Sequence, residues 1–188
     1  MKKLFWGLGL SLLIFSLSFA AQSWNVIFYD LVSGGLEDCW GYAANGREYA
    51  LICKSPSFVN GIAVQIVDVT DPPNSYAGAT VGTEGSDLKD VEVYSHYAIA
   101  VNQDGPVQVI DLQYLPDSAK TVARFNNANV TGAHTIHISG NYAYLSLNGA
   151  GTRDLRILDI SNPLAPVEVG HYTHPQQGQL FADAHDAY

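Results

Sequence analysis

The stretch GAHTIHISGNYAYLSLNGAGTRDLRILDISNP, from Gly132 to Pro163, decides the fold, because the chain carries two further versions of its pattern. Runs in which apolar and polar residues alternate are separated by turns rich in Gly and Asn, and this alternation is typical of β-strands. Together with the residues that follow Pro163, the stretch predicts four antiparallel strands at residues 134–138, 142–147, 155–160 and 167–172.

Two markers recur in each unit, a Tyr-Ala pair after the first turn and an aspartate that closes the third strand. The tyrosines of the pairs are Tyr49, Tyr97 and Tyr142, and their spacings of 48 and 45 residues fall in the range of β-propeller blades. We therefore predict an all-β fold of four-stranded antiparallel propeller blades, with about three blades plus the start of a fourth in an incomplete ring. The predicted blades span residues 38–82, 86–127 and 131–173, and the next begins at 180–188.

The aspartates that close the third strands are Asp68, Asp111 and Asp159. Each precedes a short polar turn that contains proline, and a short carboxylate can accept hydrogen bonds from the backbone of such a turn. Since every unit carries this residue and turn chemistry accounts for it, we interpret the three aspartates as structural turn formers and not as catalysts.

The N-terminus has the pattern of a secretory signal peptide at residues 1–21. Lys2 and Lys3 precede an apolar run from Leu4 to Leu17, and small residues follow at Ser18 to Ala21. The alternative is an uncleaved membrane anchor. We expect a secreted, periplasmic or cell-surface protein in which residues 22–37 lead into the repeats.

The formal net charge is −9, and the part of the chain after the signal has no Lys/Arg cluster. This balance argues against nucleic acid and anionic membrane surfaces as partners. A cell-surface or protein partner is the expected class instead. The three units and a start of a fourth also predict an open arc from a truncated copy, which could self-associate through its exposed blade edges.

Cys39 and Cys53 flank a hairpin that turns at Asn45-Gly46. A three-residue loop would place the two cysteines directly opposite one another and permit a disulfide, whereas a two-residue loop would offset them by one. The sequence leaves both registers open, and the second alternative is two independent thiols.

Several segments resemble a known family. The third-strand segments VQIVDVTDP, VQVIDL and LRILDISNP resemble the LVIVD repeat. The segments DCWGYAANGREYAL, GAHTIHISGNYAYL and DAHDAY are similar to the secreted bacterial choice-of-anchor B β-propeller proteins. The resemblance implies a propeller fold, export and surface attachment, and it implies no activity for particular residues.

Alignment of the units on the Tyr-Ala pair predicts a group of side chains at one mouth of the central channel, where the first strands of the blades should meet. The group consists of Cys39, Trp40, Lys89, Asp90, His134 and His185. His134, His185 and Asp186 are the candidate ligands of a divalent metal. The alternative is a polar, water-filled channel in which His and Asp side chains hydrogen-bond to one another or to exposed strand ends.

Lys89 is either an activated amine or the partner of Asp90 or Asp186 in a salt bridge. His137 is expected to pack between blades or to bond to an adjacent strand.

The sequence favours a secreted or cell-surface, noncatalytic β-propeller repeat module for binding or scaffolding. One alternative is an exported metal-dependent hydrolase or lyase with its site at the channel mouth. Another is a truncated fragment that has no independent function.

Overall fold

The computed structural model describes residues 35–54, 63–85, 87–147 and 154–173, and the chain is almost entirely β-structure within these ranges. Its strands are β1 (Leu36–Ala44), β2 (Arg47–Lys54), β3 (Ala63–Asp68), β4 (Tyr76–Gly82), β5 (Leu88–Tyr94), β6 (Tyr97–Asn102), β7 (Val107–Asp111), β8 (Lys120–Phe125), β9 (Thr135–Ser139), β10 (Tyr142–Ser146), β11 (Asp154–Asp159) and β12 (Val167–Thr173). A single turn of 3-10 helix, Pro72–Asn74, connects β3 to β4. No helix in the described ranges has the length and apolar character needed to cross a membrane.

The strands form three antiparallel sheets of four strands, and each sheet follows the chain order. Blade 1 is β1–β4, blade 2 is β5–β8 and blade 3 is β9–β12. The predicted all-β architecture of four-stranded blades is therefore confirmed, and the described sheets do not close into a barrel. The strands of blade 3 lie within one residue of the predicted bounds. The signal segment, the start of a fourth unit at 180–188 and the loop at 148–153 lie outside the described residues.

Burial of apolar side chains between successive sheets holds the blades together. The blade 1–blade 2 core includes Leu51 and Ile66 from blade 1 and Ala100 and Ile110 from blade 2. Full burial of one such Leu or Ile side chain stabilises the fold by about 1.5–3 kcal/mol. A second core packs the opposite face of blade 2 against blade 3, and it includes Leu145. Blade 2 is thus covered on both faces.

Blades 1 and 3 each keep one face that no other described blade covers. On blade 3, alternation along the strands places Tyr142, Val167 and Tyr172 on this outer face. Their exposed fractions are 43%, 58% and 57%. Blade 3, the last of the three described sheets, therefore exposes large apolar side chains on its outer face.

The aspartate that closes each third strand accepts a backbone hydrogen bond from the residue two positions later. Asp68 accepts from the Thr70 N–H at 3.0 Å, and Asp111 and Asp159 do the same in their own blades at 2.9 and 2.8 Å. This is the hydrogen bond that a turn-forming role requires. Asp68 also accepts from Arg47 at 2.7 Å, and its bonds to Thr70, Arg47 and Tyr76 lower its pKa to about 2.

Gly132, in the segment that leads into β9, lies close against the backbone of blade 2. A Cβ atom at this position would lie 2.2 Å from the carbonyl oxygen of Gln103 and 2.9 Å from the amide nitrogen of Asp104. Only the backbone of blade 2 could make room, since the neighbouring atoms belong to it. A side chain at position 132 would therefore push blades 2 and 3 apart.

We predict that Gly132→Ala destabilises the fold by about 1–3 kcal/mol, the usual cost of overpacking. Gly41→Ala is the matched control, because a Cβ at Gly41 would meet no atom within 4 Å. Urea unfolding of the two variants measures the difference. Equal transition midpoints for the two would show that the Gly132 contact is not a constraint.

Candidate functional site

The predicted channel-mouth residues lie on or next to the first strands of the three blades. The inner strands β1, β5 and β9 are neighbours, with β5 in contact with both others. Cys39 and Trp40 lie on β1, Lys89 and Asp90 lie on β5, and His134 directly precedes β9. His185 and Asp186 lie outside the described residues, so their convergence with His134 stays a prediction.

The ammonium group of Lys89 lies between two carboxylates. Its Nζ is 2.8 Å from Asp87 and 3.4 Å from Glu37. The predicted pairing with Asp90 is corrected here, because acidic residues just before β5 and at the start of β1 supply the contacts. The other predicted partner, Asp186, lies outside the described residues. Burial lowers the pKa of Lys89, but the two carboxylates outweigh burial and raise it. These contacts favour the protonated amine over an activated one.

Asp90 accepts hydrogen bonds at both of its carboxyl oxygens, and one of these bonds joins blade 2 to blade 3. Oδ1 accepts a hydrogen bond from the N–H of Val91 at 2.6 Å, and Oδ2 accepts one from the N–H of Ile136 in β9 at 2.9 Å. Since β9 is an edge strand of its sheet, the Ile136 N–H has no strand partner on that side. The carboxylate of blade 2 supplies the acceptor that this amide needs.

A second carboxyl group, Asp38 of β1, hydrogen-bonds to Asp90. Burial raises the pKa of Asp90 to about 7, and Asp38 raises it further in the same direction, against the two backbone N–H bonds. The pair therefore holds a proton near neutral pH. A shared proton of this kind suits general acid-base work, but both oxygens of Asp90 already accept structural hydrogen bonds.

Glu92, two residues after Asp90 on β5, also accepts a hydrogen bond from a backbone N–H of β9. One of its oxygens accepts from the N–H of Ile138 at 2.7 Å, and the other lies 3.4 Å from Nδ1 of His137. Burial raises the pKa of Glu92, while the Ile138 N–H and His137 act in the opposite direction. The expectation that His137 bonds to an adjacent strand agrees with this contact.

His134 is held by blade 2 as well as by its own blade. Its Nδ1 lies 2.9 Å from Oε1 of Gln103, in the loop after β6. Its backbone N–H donates to the carbonyl of Ser146 at 2.8 Å. Within the described ranges, no group of three or more His, Cys, Asp or Glu side chains has the arrangement of a metal site. The proposed metal set depends on residues beyond those ranges.

The hairpin between β1 and β2 settles the register of the two cysteines. Asn45 and Gly46 have φ values of 54° and 72°, the conformation of a two-residue hairpin turn, and Ala44 lies opposite Arg47. Cys39 consequently lies opposite Ile52, so it is offset from Cys53 by one residue. Cys39 is exposed, Cys53 is buried, and both are free thiols. Burial raises the pKa of the Cys53 thiol and makes it unreactive.

An open hollow of about 470 Å³ lies along the β1–β2 hairpin. Its lining includes Trp40, Tyr42, Glu48 and Val69 together with the Cys39 side chain. Trp40 is 41% exposed, so the wall is apolar and accessible to a partner. The sequence predicted Cys39 and Trp40 at a channel mouth, and in the structure they line this hollow.

Five contributors to the inner-strand contacts were not among the predicted site residues. They are Glu37, Asp38, Asp87, Glu92 and Gln103. The signal that could have identified Glu92 is its alternation with Asp90, because residues two apart on a strand point the same way. No such signal identifies Gln103, because its contact with His134 depends on how the loops of one blade meet the next blade.

We predict that Asp90→Asn reduces the pH dependence of stability between about pH 4 and pH 7. A carboxyl whose folded-state pKa is raised stabilises the protein fully below its unfolded pKa, and that contribution is lost as the pH rises through the folded-state value. The amide of asparagine mimics the protonated acid, so the variant should lose less stability on going to pH 7.5.

Thermal unfolding at pH 4.5 and 7.5 measures this effect. Asp117→Asn is the control, because Asp117 is an exposed carboxyl in the turn after β7. If wild type, control and Asp90→Asn show the same difference between the two pH values, the carboxyl pair does not hold a proton.

Comparison with known families finds one match, the LVIVD repeat, over residues 132–174. The matched residues cover the whole of blade 3 and the segment that contains Gly132. Comparison with curated proteins finds no match. The chain therefore contains an LVIVD repeat that folds as a four-stranded, propeller-like blade.

Proposed function

We propose that the chain is an exported or cell-surface β-propeller module that binds or scaffolds a protein partner and catalyses no reaction. The observation that carries this proposal is the outer face of blade 3. Single exposed apolar residues are ordinary, but contiguous apolar faces mark interaction sites. The partner chemistry it fits is another apolar sheet face.

On the outer face of blade 3, apolar residues occupy the same repeat positions as on the face of blade 2 that packs against blade 3. On blade 2, Ile99, Val107 and Phe125 point toward blade 3 and contribute to the shared core. Counting from the Tyr-Ala pair and from the closing aspartate, Tyr144 and Leu155 occupy the positions of Ile99 and Val107 in blade 3. Strand register places Tyr172 opposite Leu155, as Phe125 lies opposite Val107.

The ionisable groups of the inner strands support binding over catalysis. Lys89 is engaged by Asp87 and Glu37, and Asp90 and Glu92 accept backbone N–H bonds from β9. A group that performs acid-base chemistry needs a position next to a reacting atom. These groups instead face other parts of the same protein.

Export and surface attachment belong to the same proposal. The N-terminal pattern of residues 1–21 and the similarity to choice-of-anchor B proteins support it. An apolar sheet face is also compatible with an extracellular scaffold, where a protein partner or a second copy can cover it.

Self-association is the most direct test, with a second copy of this chain as the probe. We expect the purified chain without residues 1–21 to associate with increasing concentration in sedimentation velocity. The double substitution Val167→Ser/Tyr172→Ser should weaken association about tenfold or more, because loss of apolar anchors from an interface costs at least about 1.4 kcal/mol.

Val122→Ser is the matched control, since Val122 is an exposed valine on β8 of blade 2. A monomer at every concentration, or equal effects of the two substitutions, would contradict the role of the blade 3 face. Turnover of a substrate that stops in His134→Ala, with stoichiometric bound metal, would favour the metal-dependent hydrolase or lyase instead.

A further inference from the structure

Four side chains at each junction between successive blades occupy equivalent repeat positions, and we call each set a slot. Between blades 2 and 3, the slot consists of Asn127, Leu147, Arg156 and Glu168. Between blades 1 and 2, the equivalent residues are Thr83, Asn102, Gln108 and Thr121. Gln108 and Arg156 both stand three residues before the closing aspartate, and Asn102 and Leu147 both stand five residues after the tyrosine of the Tyr-Ala pair.

Strand register supports the remaining equivalences. Thr121 lies opposite Ile110, and Glu168 lies opposite Leu158, the residue that precedes the closing aspartate in each blade. Val64 and Val107 occupy the same repeat position, and each pairs with a residue on the fourth strand of its blade. Thr83 and Asn127 each lie two residues after that partner. The two slots can therefore be compared residue by residue.

Charged and amide side chains fill the slot between blades 2 and 3. Arg156 donates to Glu168 at 2.9 Å and to Asp154 at 2.6 Å. Asn127 donates to the other oxygen of Glu168 at 2.7 Å. Among the buried polar atoms of these slot residues, only Nε of Arg156 has no hydrogen-bond partner. Protein groups thus satisfy nearly all of the hydrogen bonding here.

The slot between blades 1 and 2 has the opposite character. Thr83 Oγ1, Thr121 Oγ1, both amide atoms of Asn102 and both amide atoms of Gln108 are buried and have no hydrogen-bond partner within the described part of the chain. Asn102 and Gln108 are themselves fully buried. Six such atoms left unpaired would cost a free energy comparable to the whole stability of a domain.

Neighbouring groups enclose this slot. A Cβ at Gly85 would lie 3.2 Å from Oδ1 of Asn102, so the chain after β4 covers that amide. Gly105 makes a close backbone approach to Glu84. Outside them, Arg124, which lies opposite Gln108, pairs with Glu84 at 2.7 Å. The polar atoms are therefore separated from bulk solvent.

We propose that the slot formed by Thr83, Asn102, Gln108 and Thr121 is a binding site for ordered water molecules between blades 1 and 2. Two amides and two hydroxyls both donate and accept hydrogen bonds, and water is the small guest that can do both. Gln108 stands at the position of Arg156, and Thr121 stands at the position of Glu168. Both side chains are shorter than those in the slot between blades 2 and 3, which leaves room that the other slot lacks.

Water-selective heteronuclear NOE and ROE spectra of the nitrogen-15-labelled chain test the proposal. The side-chain NH2 groups of Asn102 and Gln108 should show cross-peaks to water whose NOE and ROE signs are opposite, as for water that stays bound for longer than nanoseconds. The side-chain amide of Gln113, an exposed residue, is the internal control and should lack this pattern.

The double substitution Gln108→Arg/Thr121→Glu copies the filled slot and should abolish the water cross-peaks at Asn102. Because that variant could fail to fold, the wild-type spectra stand as a test alone. A direct amide-to-amide NOE between Asn102 and Gln108 without water cross-peaks would overturn the proposal, and so would cross-peaks to a solute other than water.

Discussion

The capping of an edge strand by carboxylates from the preceding blade is the interaction on which the arrangement of the blades depends. The first strand of a blade pairs on one side only, so alternate N–H groups point away from its sheet. Asp90 and Glu92 accept hydrogen bonds from the N–H groups of Ile136 and Ile138. This contact fixes the register between β5 and β9, and the apolar core between blades 2 and 3 then packs behind it.

The two junctions between blades are built differently. The junction between blades 2 and 3 adds the network around Arg156 to the carboxylate caps. At the junction between blades 1 and 2, Asp38 and Trp40 occupy the positions of Asp90 and Glu92, because Trp40 lies opposite Leu51 as Glu92 lies opposite Ile99. Trp40 cannot serve as a carboxylate acceptor, so this junction keeps one of the two carboxyls. It also contains an apolar core and a slot whose polar atoms have no hydrogen-bond partner among the described residues.

The repeat pattern in the sequence predicted the architecture well, because alternation along strands and turn-forming residues are local features. The closing aspartates and the four-strand order follow from such patterns. The Asn45-Gly46 pair could even have decided between the two cysteine registers, since this dipeptide favours a two-residue hairpin turn. The family match over residues 132–174 agrees with the repeat-level reading.

Contacts between blades were the part that the sequence did not predict. One predicted partner of Lys89 is Asp90, whereas Asp87 and Glu37 contact the lysine in the structure. Glu37 had been assigned to the lead-in segment before the first repeat. Partners of this kind depend on the twist and offset between sheets, which no local pattern encodes, and the role of Asp90 as a cap depends on the same geometry.

Native-state hydrogen exchange of the Ile136 and Ile138 amides tests the capping interaction most directly. If carboxylates of blade 2 bind these edge amides, both should exchange as slowly as the amides of the central strand β10. Substitution Glu92→Ala should release Ile138 selectively and leave β10 protected. Exchange of both amides in the wild-type protein at the rate of the exposed edge strand β12 would contradict the account.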